Sequence, residues 1–158
     1  MTYFSEIYDK YAMPVIRDYQ LDKLAKADYE AFLLHLESIL INAIPDFDGC
    51  LKLLDYEYIE QETEEGMIRR VPVFKADLDY KEKSILGKLM VIKWFTSKIQ
   101  DVTQFQGSLN TREFKKFSES NNLKQKSAYL NGLIEKFEQE VTDYQLNNLA
   151  QMPYFEDF

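Results

Sequence analysis

The stretch that most constrains the fold runs from residue 77 to residue 99 and reads DLDYKEKSILGKLMVIKWFTSKI. Between residues 89 and 95 apolar side chains cover nearly every side of a helical cylinder, broken in this region only by Lys88 and Lys93. A helix that is apolar almost all round has to be enclosed by other elements. The sequence therefore predicts a buried central helix over about 80–99. Its predicted core anchors are Leu89, Ile92, Trp94 and Phe95.

Two acidic residues mark the start of this helix. Asp79 and Glu82 have the spacing of a capping box, in which each carboxylate accepts a hydrogen bond from the other residue's backbone amide. The helix is accordingly predicted to begin at Tyr80. Gly87 lies inside it, where glycine costs about 1 kcal/mol relative to alanine. A glycine at this position predicts the close approach of a neighbouring backbone.

Three other segments have helical spacing. Residues 3–12 place aromatic side chains on one face and are predicted to form a short helix that stops near Pro14. A second helix is predicted over 27–43, after an irregular link at 14–24. A long C-terminal helix is predicted over about 119–146, and we interpret its heptad stripe as core packing rather than as a coiled-coil seam. That stripe consists of Leu123, Leu130, Ile134, Phe137, Val141 and Tyr144.

Residues 46–76 change from acidic to basic and β-branched, which predicts a β-hairpin over about 54–75. Its turn falls at Glu64, Glu65 and Gly66, with acidic side chains opposite arginines. Pro72 indicates a sheet edge, because proline has no amide to donate to a neighbouring strand. A lone two-stranded hairpin is marginally stable in water, so we expect it to rest on a helix or on another subunit.

Length and composition fit one folded domain. The 158 residues are 46% hydrophobic, which is enough for a core without disulfides or metals. The predicted fold class is mainly α: a small helical bundle around the central helix and the long C-terminal helix, with the hairpin inserted. Residues 1–146 form this domain.

Charge and cysteine usage restrict the function classes. The net charge of −8 argues against wrapping nucleic acid, because phosphate binding relies on clustered Lys and Arg. The single Cys50 excludes an internal disulfide and fits a reducing compartment. There is no basic-then-apolar leader segment, so synthesis in the cytoplasm is expected. Lysines inside the apolar run argue against a membrane span.

Common catalytic signatures are absent from the sequence. It has no glycine-rich phosphate loop, no Cys/His cluster at metal spacing and no serine elbow, so we predict no enzyme activity, no cofactor and no metal. His35 and Cys50 could form a base and nucleophile, but no third group orients them. Asp46 and Asp48 resemble the start of a calcium loop, yet Leu51 stands where that loop needs glycine. An enzyme of unknown type remains a weak alternative.

The last twelve residues, 147–158, break the heptad pattern and read NNLAQMPYFEDF. Aromatic side chains are common anchors of protein interfaces, so this segment is predicted to be a C-terminal interaction arm. The alternative is that its aromatic residues fold back over the subunit's own core. The predicted partner-binding residues are Met152, Tyr154, Phe155 and Phe158 in the arm, with Glu64 and Glu65 in the hairpin turn.

The order of these parts resembles the head-tail connector (adaptor, or head-completion) proteins of long-tailed bacteriophages that infect Gram-positive hosts. The resemblance covers roughly residues 3–146. Its most specific pieces are ILGKLMVIKWF in the central helix and FKKFSESNNL before the last helix, neither of which is a catalytic signature. The hairpin and the tail after Asn148 depart from the family pattern.

The resemblance implies a non-enzymatic virion protein of the head-tail neck. Such adaptors form a ring, usually of twelve copies, under the portal protein, extend the DNA channel and provide the docking surface for the next neck, stopper or tail-completion protein. The implied partners are therefore the portal, that downstream protein and further copies of the chain. DNA is implied only as a non-specific passenger through the channel, and no membrane is involved.

A hypothesis from another class is a small acidic phage-encoded regulatory protein. Such a protein could use the acidic hairpin as a DNA mimic against a host enzyme. The two hypotheses differ in assembly, because an inhibitor acts as a monomer or dimer on one target whereas an adaptor is stoichiometric in virions.

Overall fold

A computed structural model of the protein describes residues 1–16, 18–108 and 119–148. Within these residues the fold is mainly helical with one small antiparallel sheet, which confirms the predicted fold class. In chain order the elements are strand β1 (Thr2–Tyr3), helix α1 (Phe4–Ile7), a π-helical segment (Tyr8–Ala12), α2 (Tyr19–Ala27), α3 (Tyr29–Ala43), a 3₁₀ turn (Ile44–Asp46), β2 (Tyr56–Glu62), β3 (Ile68–Phe74), α4 (Tyr80–Ser108) and α5 (Glu119–Asn147). No helix in the described ranges is long and apolar enough to cross a membrane.

The predicted hairpin is present and gains a third strand. β2 and β3 pair along their whole length, from Tyr56 opposite Phe74 to Glu62 opposite Ile68. The turn between them contains Gly66 at a φ of 75°, a conformation that favours glycine. β1 pairs only with the last two residues of β3, so the strand order is β1-β3-β2. The prediction of a helix over 3–12 was therefore wrong at its start.

Pro72 lies in the middle strand of the sheet, whereas the sequence predicted a sheet edge at this proline. The backbone explains how it is tolerated there. The Lys75 amide donates to the Asp55 carbonyl at 2.9 Å. The backbone N–H groups that point toward β2 are therefore those of Lys75 and of every second residue before it in β3. Pro72 is out of phase with that series, and its nitrogen points to the opposite edge, where β1 has already ended. The local environment is thus an open edge.

The core is centred on the first half of α4. Its buried side chains are Ile85, Leu86, Leu89, Met90 and Val91. Gly87 is also buried, and a Cβ built on it would lie 2.2 Å from the Cβ of Tyr11 in the π-helical segment. The predicted close backbone approach at this glycine is therefore confirmed.

The second half of α4 is less enclosed than its apolar pattern predicted. Leu89 is buried, but Ile92, Trp94 and Phe95 are only partly buried, which corrects their assignment as fully enclosed core anchors. Beyond Val91 the cover comes from α5 and from the start of α2. There the Trp94 indole N–H donates to Asp18 at 3.2 Å, and the Phe95 ring lies 5.4 Å from that of Tyr129.

Helix α2 replaces most of the irregular link predicted at 14–24. The Asp18 side chain caps it by accepting a hydrogen bond from the Gln20 amide at 2.9 Å. Asp28 caps α3 in the same way, through the Ala31 amide at 3.0 Å. α3 and α5 lie within two residues of their predicted bounds at each end.

Candidate functional site

A buried carboxylate joins three distant parts of the chain. The predicted capping box is formed: the Glu82 amide donates to Asp79 at 2.9 Å, and the Asp79 amide donates to Glu82 Oε2 at 2.8 Å. Glu82 is only 1% exposed, which is unusual for a charged capping residue. A carboxylate buried this deeply requires further partners.

Those partners come from the loop before the hairpin and from the end of α5. Lys52 Nζ donates to Glu82 Oε2 at 2.9 Å, and the Tyr144 hydroxyl donates to Oε1 at 2.7 Å. The same hydroxyl accepts from the Leu51 amide at 3.2 Å. Burial, followed by its hydrogen bond to Glu82, raises the pKa of Tyr144. Both oxygens of Glu82 are engaged, so this network acts as a structural joint.

The two residues considered as a nucleophile and base have unrelated environments. Cys50 Sγ lies 4.0 Å from the Tyr144 hydroxyl, and burial raises the pKa of its thiol, which disfavours the reactive thiolate. His35 is exposed on α3.

A cleft of about 610 Å³ opens between the hairpin, α1 and the first half of α3. We call it the acidic cleft. Its rim carries exposed apolar side chains, of which Leu34 is 64% and Ile68 is 73% exposed. The charged residues that line it are Asp9, Glu30, Glu37, Glu62, Glu64, Arg69 and Arg70.

The floor of the acidic cleft contains an unsatisfied hydroxyl. Tyr8 lines the cleft and is only 3% exposed, yet its hydroxyl finds no hydrogen-bond partner among the described residues. Burial, and then the charge of nearby Glu37, raises the pKa of Tyr8. The Tyr58 hydroxyl donates to Glu37, and that bond raises the pKa of Tyr58 to about 12. Arg70 lies over the Tyr58 ring, 5.7 Å from its centre.

Of the six predicted partner-binding residues, the structure describes the two in the hairpin turn. Glu64 lines the acidic cleft, and Glu65 is exposed beside it in the hairpin turn. The arm residues Met152, Tyr154, Phe155 and Phe158 lie outside the described residues. Sequence reasoning missed the cleft itself, because its walls come from three separate parts of the chain. The only signal for it was the run of acidic residues in the hairpin.

No group of three or more His, Cys, Asp or Glu side chains is placed to hold a metal within the part of the chain that is described. Comparison of the chain with protein-family models, with curated proteins and with solved structures found no significant match.

Proposed function

We propose that the chain is a non-enzymatic virion protein, a head-tail connector that assembles as a ring under the portal of a long-tailed bacteriophage of Gram-positive hosts. A ring of twelve copies would extend the DNA channel and provide a docking surface for the next neck or tail protein. The proposal rests on the resemblance of the central helix and of the segment before α5 to that family. One structural observation supports it, the open outer edge of the sheet.

β2 is the outer strand, so the outward-facing amides and carbonyls along its seven residues have no strand partner within the described ranges. An open strand edge is a template for pairing with another chain. Met67 and Ile68, at the adjacent hairpin end, are also exposed. In an assembly, neighbouring subunits can cover a strand edge and apolar side chains that are exposed in the isolated chain.

The charge of the subunit is compatible with a DNA channel. The net charge is −8, and outside the acidic cleft β2 presents exposed Glu57 and Glu60. Acidic groups repel the phosphates of the DNA backbone. A channel wall of this kind would let DNA pass without holding it.

Native mass spectrometry of the chain mixed with the portal of the same phage tests the proposal. We expect many copies per portal ring, in a number set by the ring symmetry. One or two copies per portal ring would reject the connector assignment.

Asn147 is the last residue of α5, and the Asn148 side chain donates a hydrogen bond back to that helix. Only residues 149–158 of the predicted arm (147–158) are therefore deleted to test it in the same assay. The expected result is an unchanged melting temperature with loss of portal binding. A melting temperature lowered by several degrees with intact assembly would instead assign the segment to the core.

The acidic hairpin also favours the second candidate, a DNA-mimicking inhibitor. Its exposed carboxylates are Glu57, Glu60, Glu62, Glu64 and Glu65. Quantitative mass spectrometry of purified virions separates the two functions. A connector is present at ring stoichiometry, whereas an inhibitor of a host enzyme is absent from the virion and found with its target.

A further inference from the structure

We infer that the acidic cleft binds the basic end of α5 from a second copy of this chain. The basic end consists of Lys124, Lys126 and Tyr129 in the N-terminal part of α5. The inference deepens the proposed function, because it names a contact that could join neighbouring subunits of the ring.

The charge of the acidic cleft favours a cationic occupant. Five carboxylates and two guanidinium groups line it, an excess of three negative charges. The unpaired Tyr8 hydroxyl in its floor is buried beside Glu37, whose carboxylate already accepts from Tyr58 but keeps further acceptor capacity. A lysine ammonium carries three donors and no acceptor, so it can satisfy the Tyr8 oxygen and Glu37 together.

The basic end has the matching chemistry. The lysines at 52, 83, 88, 93 and 98 are all engaged in ion pairs within the subunit. Lys124 and Lys126 are exposed and form no ion pair with any described residue. One turn further along, Tyr129 is 53% exposed although its ring packs against Phe95. A partly exposed aromatic side chain beside two exposed lysines is typical of an interface anchor.

The basic end cannot reach the cleft of its own subunit. α5 runs antiparallel along α4, because Tyr144 contacts Glu82 whereas Tyr129 contacts Phe95. Continuing this pairing places Lys124 opposite about residue 100 of α4. The cleft lies beside α1, which meets α4 at the ion pair of Glu6 with Lys83. At 1.5 Å per residue the two sites are about 25 Å apart along the helix, much further than a lysine side chain extends.

Contacts between two different surfaces of the same chain are heterologous, and they close into a ring when the rotation between neighbours permits. The exposed apolar groups Tyr29, Leu34 and Ile68 supply area to be buried at the contact. The charges set its specificity and its rate of formation. Pro72 has no amide on the open edge of β3 beside the cleft, so the partner enters by side chains rather than as an added strand.

Charge reversal tests the contact in the intact chain by sedimentation velocity at low salt. The wild type is expected to self-associate, and added salt should weaken the association. A cleft variant, Glu62→Lys with Glu64→Lys, and an end variant, Lys124→Glu with Lys126→Glu, should each be monomeric. Mixing the two variants should restore association, because each then offers the surface that complements the other. A matched control, Glu57→Lys with Glu65→Lys, changes the charge equally outside the cleft lining and should associate like the wild type.

Tyr8→Phe provides a second measurement that leaves the surface charge unchanged. It removes only the unpaired hydroxyl, so the monomer should fold normally while self-association weakens several-fold. A wild type that stays monomeric, a cleft variant that associates like the control, or a mixture that remains monomeric would each overturn the inference. The assay contains no portal, so its failure rejects this contact and leaves the portal-binding test of the proposed function unaffected.

Discussion

The hydroxyl of Tyr144 donates to Oε1 of Glu82 at 2.7 Å across 62 residues of sequence, and both side chains are buried. Replacing Tyr144 with phenylalanine keeps the ring but leaves the Leu51 amide and Glu82 without this partner. We expect the free energy of unfolding to fall by about 1–3 kcal/mol. Urea denaturation should show a lower midpoint with an unchanged m-value. Tyr129→Phe on the same helix is the control, and equal stability of the two variants would contradict a supporting role for the network.

Replacing each of two helical glycines with alanine should change the stability of the protein in opposite directions. A methyl group at Gly87 would collide with Tyr11, so Gly87→Ala should destabilise the fold by about 1–3 kcal/mol despite its better helix propensity. At Gly132 in α5 no described atom lies within 4 Å of the added Cβ. Gly132→Ala should therefore stabilise the protein by about 0.5–1 kcal/mol. Thermal melts of both variants measure the difference, and a stabilised Gly87→Ala would show that the π-helical segment moves aside.

Asp18 and Asp28 both cap helices, but Asp18 also contacts the single tryptophan and pairs with Lys98 at 3.0 Å. Removing either cap by mutation to alanine should lower stability by about 0.5–2 kcal/mol. Only Asp18→Ala should also shift the native fluorescence of Trp94 to longer wavelength, because the indole N–H then turns to water. The wild-type emission should be blue-shifted from that of indole in water, since Trp94 is partly buried. An identical spectrum in the two variants would contradict the Asp18 contact.

The ion pair of Glu6 with Lys83, at 2.8 Å, should give a pH-dependent contribution to stability. The hydrogen bond from Lys83 holds the pKa of Glu6 below its ordinary value of 4.5, and the same bond raises the pKa of Lys83 above 10.5. The carboxylate contribution is present above pH 4.5 and is lost as pH falls through the lowered pKa. The lysine contribution is present below pH 10.5 and is lost as pH rises through the raised pKa.

Melting temperatures measured across pH test this window. Glu6→Gln should melt below the wild type near neutral pH, and the difference should shrink toward both extremes. Glu57→Gln, on the exposed strand β2, is the control and should track the wild type throughout. A Glu6→Gln deficit that persists unchanged in acid would mean that the effect comes from packing rather than from charge.

Local signals predicted several elements, but the predicted end of the central helix near residue 99 was wrong, because α4 continues to Ser108. The capping box located the start of α4, and apolar periodicity located α3 and α5. The change from acidic to basic and β-branched residues located the hairpin. Each of these patterns lies within one stretch of chain. Helix α2 was missed although its cap, Asp18, is visible in the sequence. The preceding Pro14 and the short apolar run made the segment resemble a link.

What could not be predicted depends on distant partners. A glutamate in a capping box has the same sequence pattern whether it is exposed or buried, and Glu82 is buried because Lys52 and Tyr144 cover it. The partial exposure of Trp94 depends on how far the neighbouring elements extend along α4. The acidic cleft requires α1, α3 and the hairpin to meet, so the acidic run in the hairpin indicated its charge but not its walls.

The pairing of β1 with β3 also sets an order of events during synthesis. Thr2 leaves the ribosome long before its partner Phe74, which is about 70 residues later in the chain. At about 5–20 residues per second this gap lasts roughly 4–14 s. In the folded protein the Phe4 ring lies 4.5 Å from that of Phe74. Throughout that interval Phe4 therefore lacks this packing partner. The nascent chain therefore carries an uncovered aromatic segment for seconds before the sheet that covers it can form.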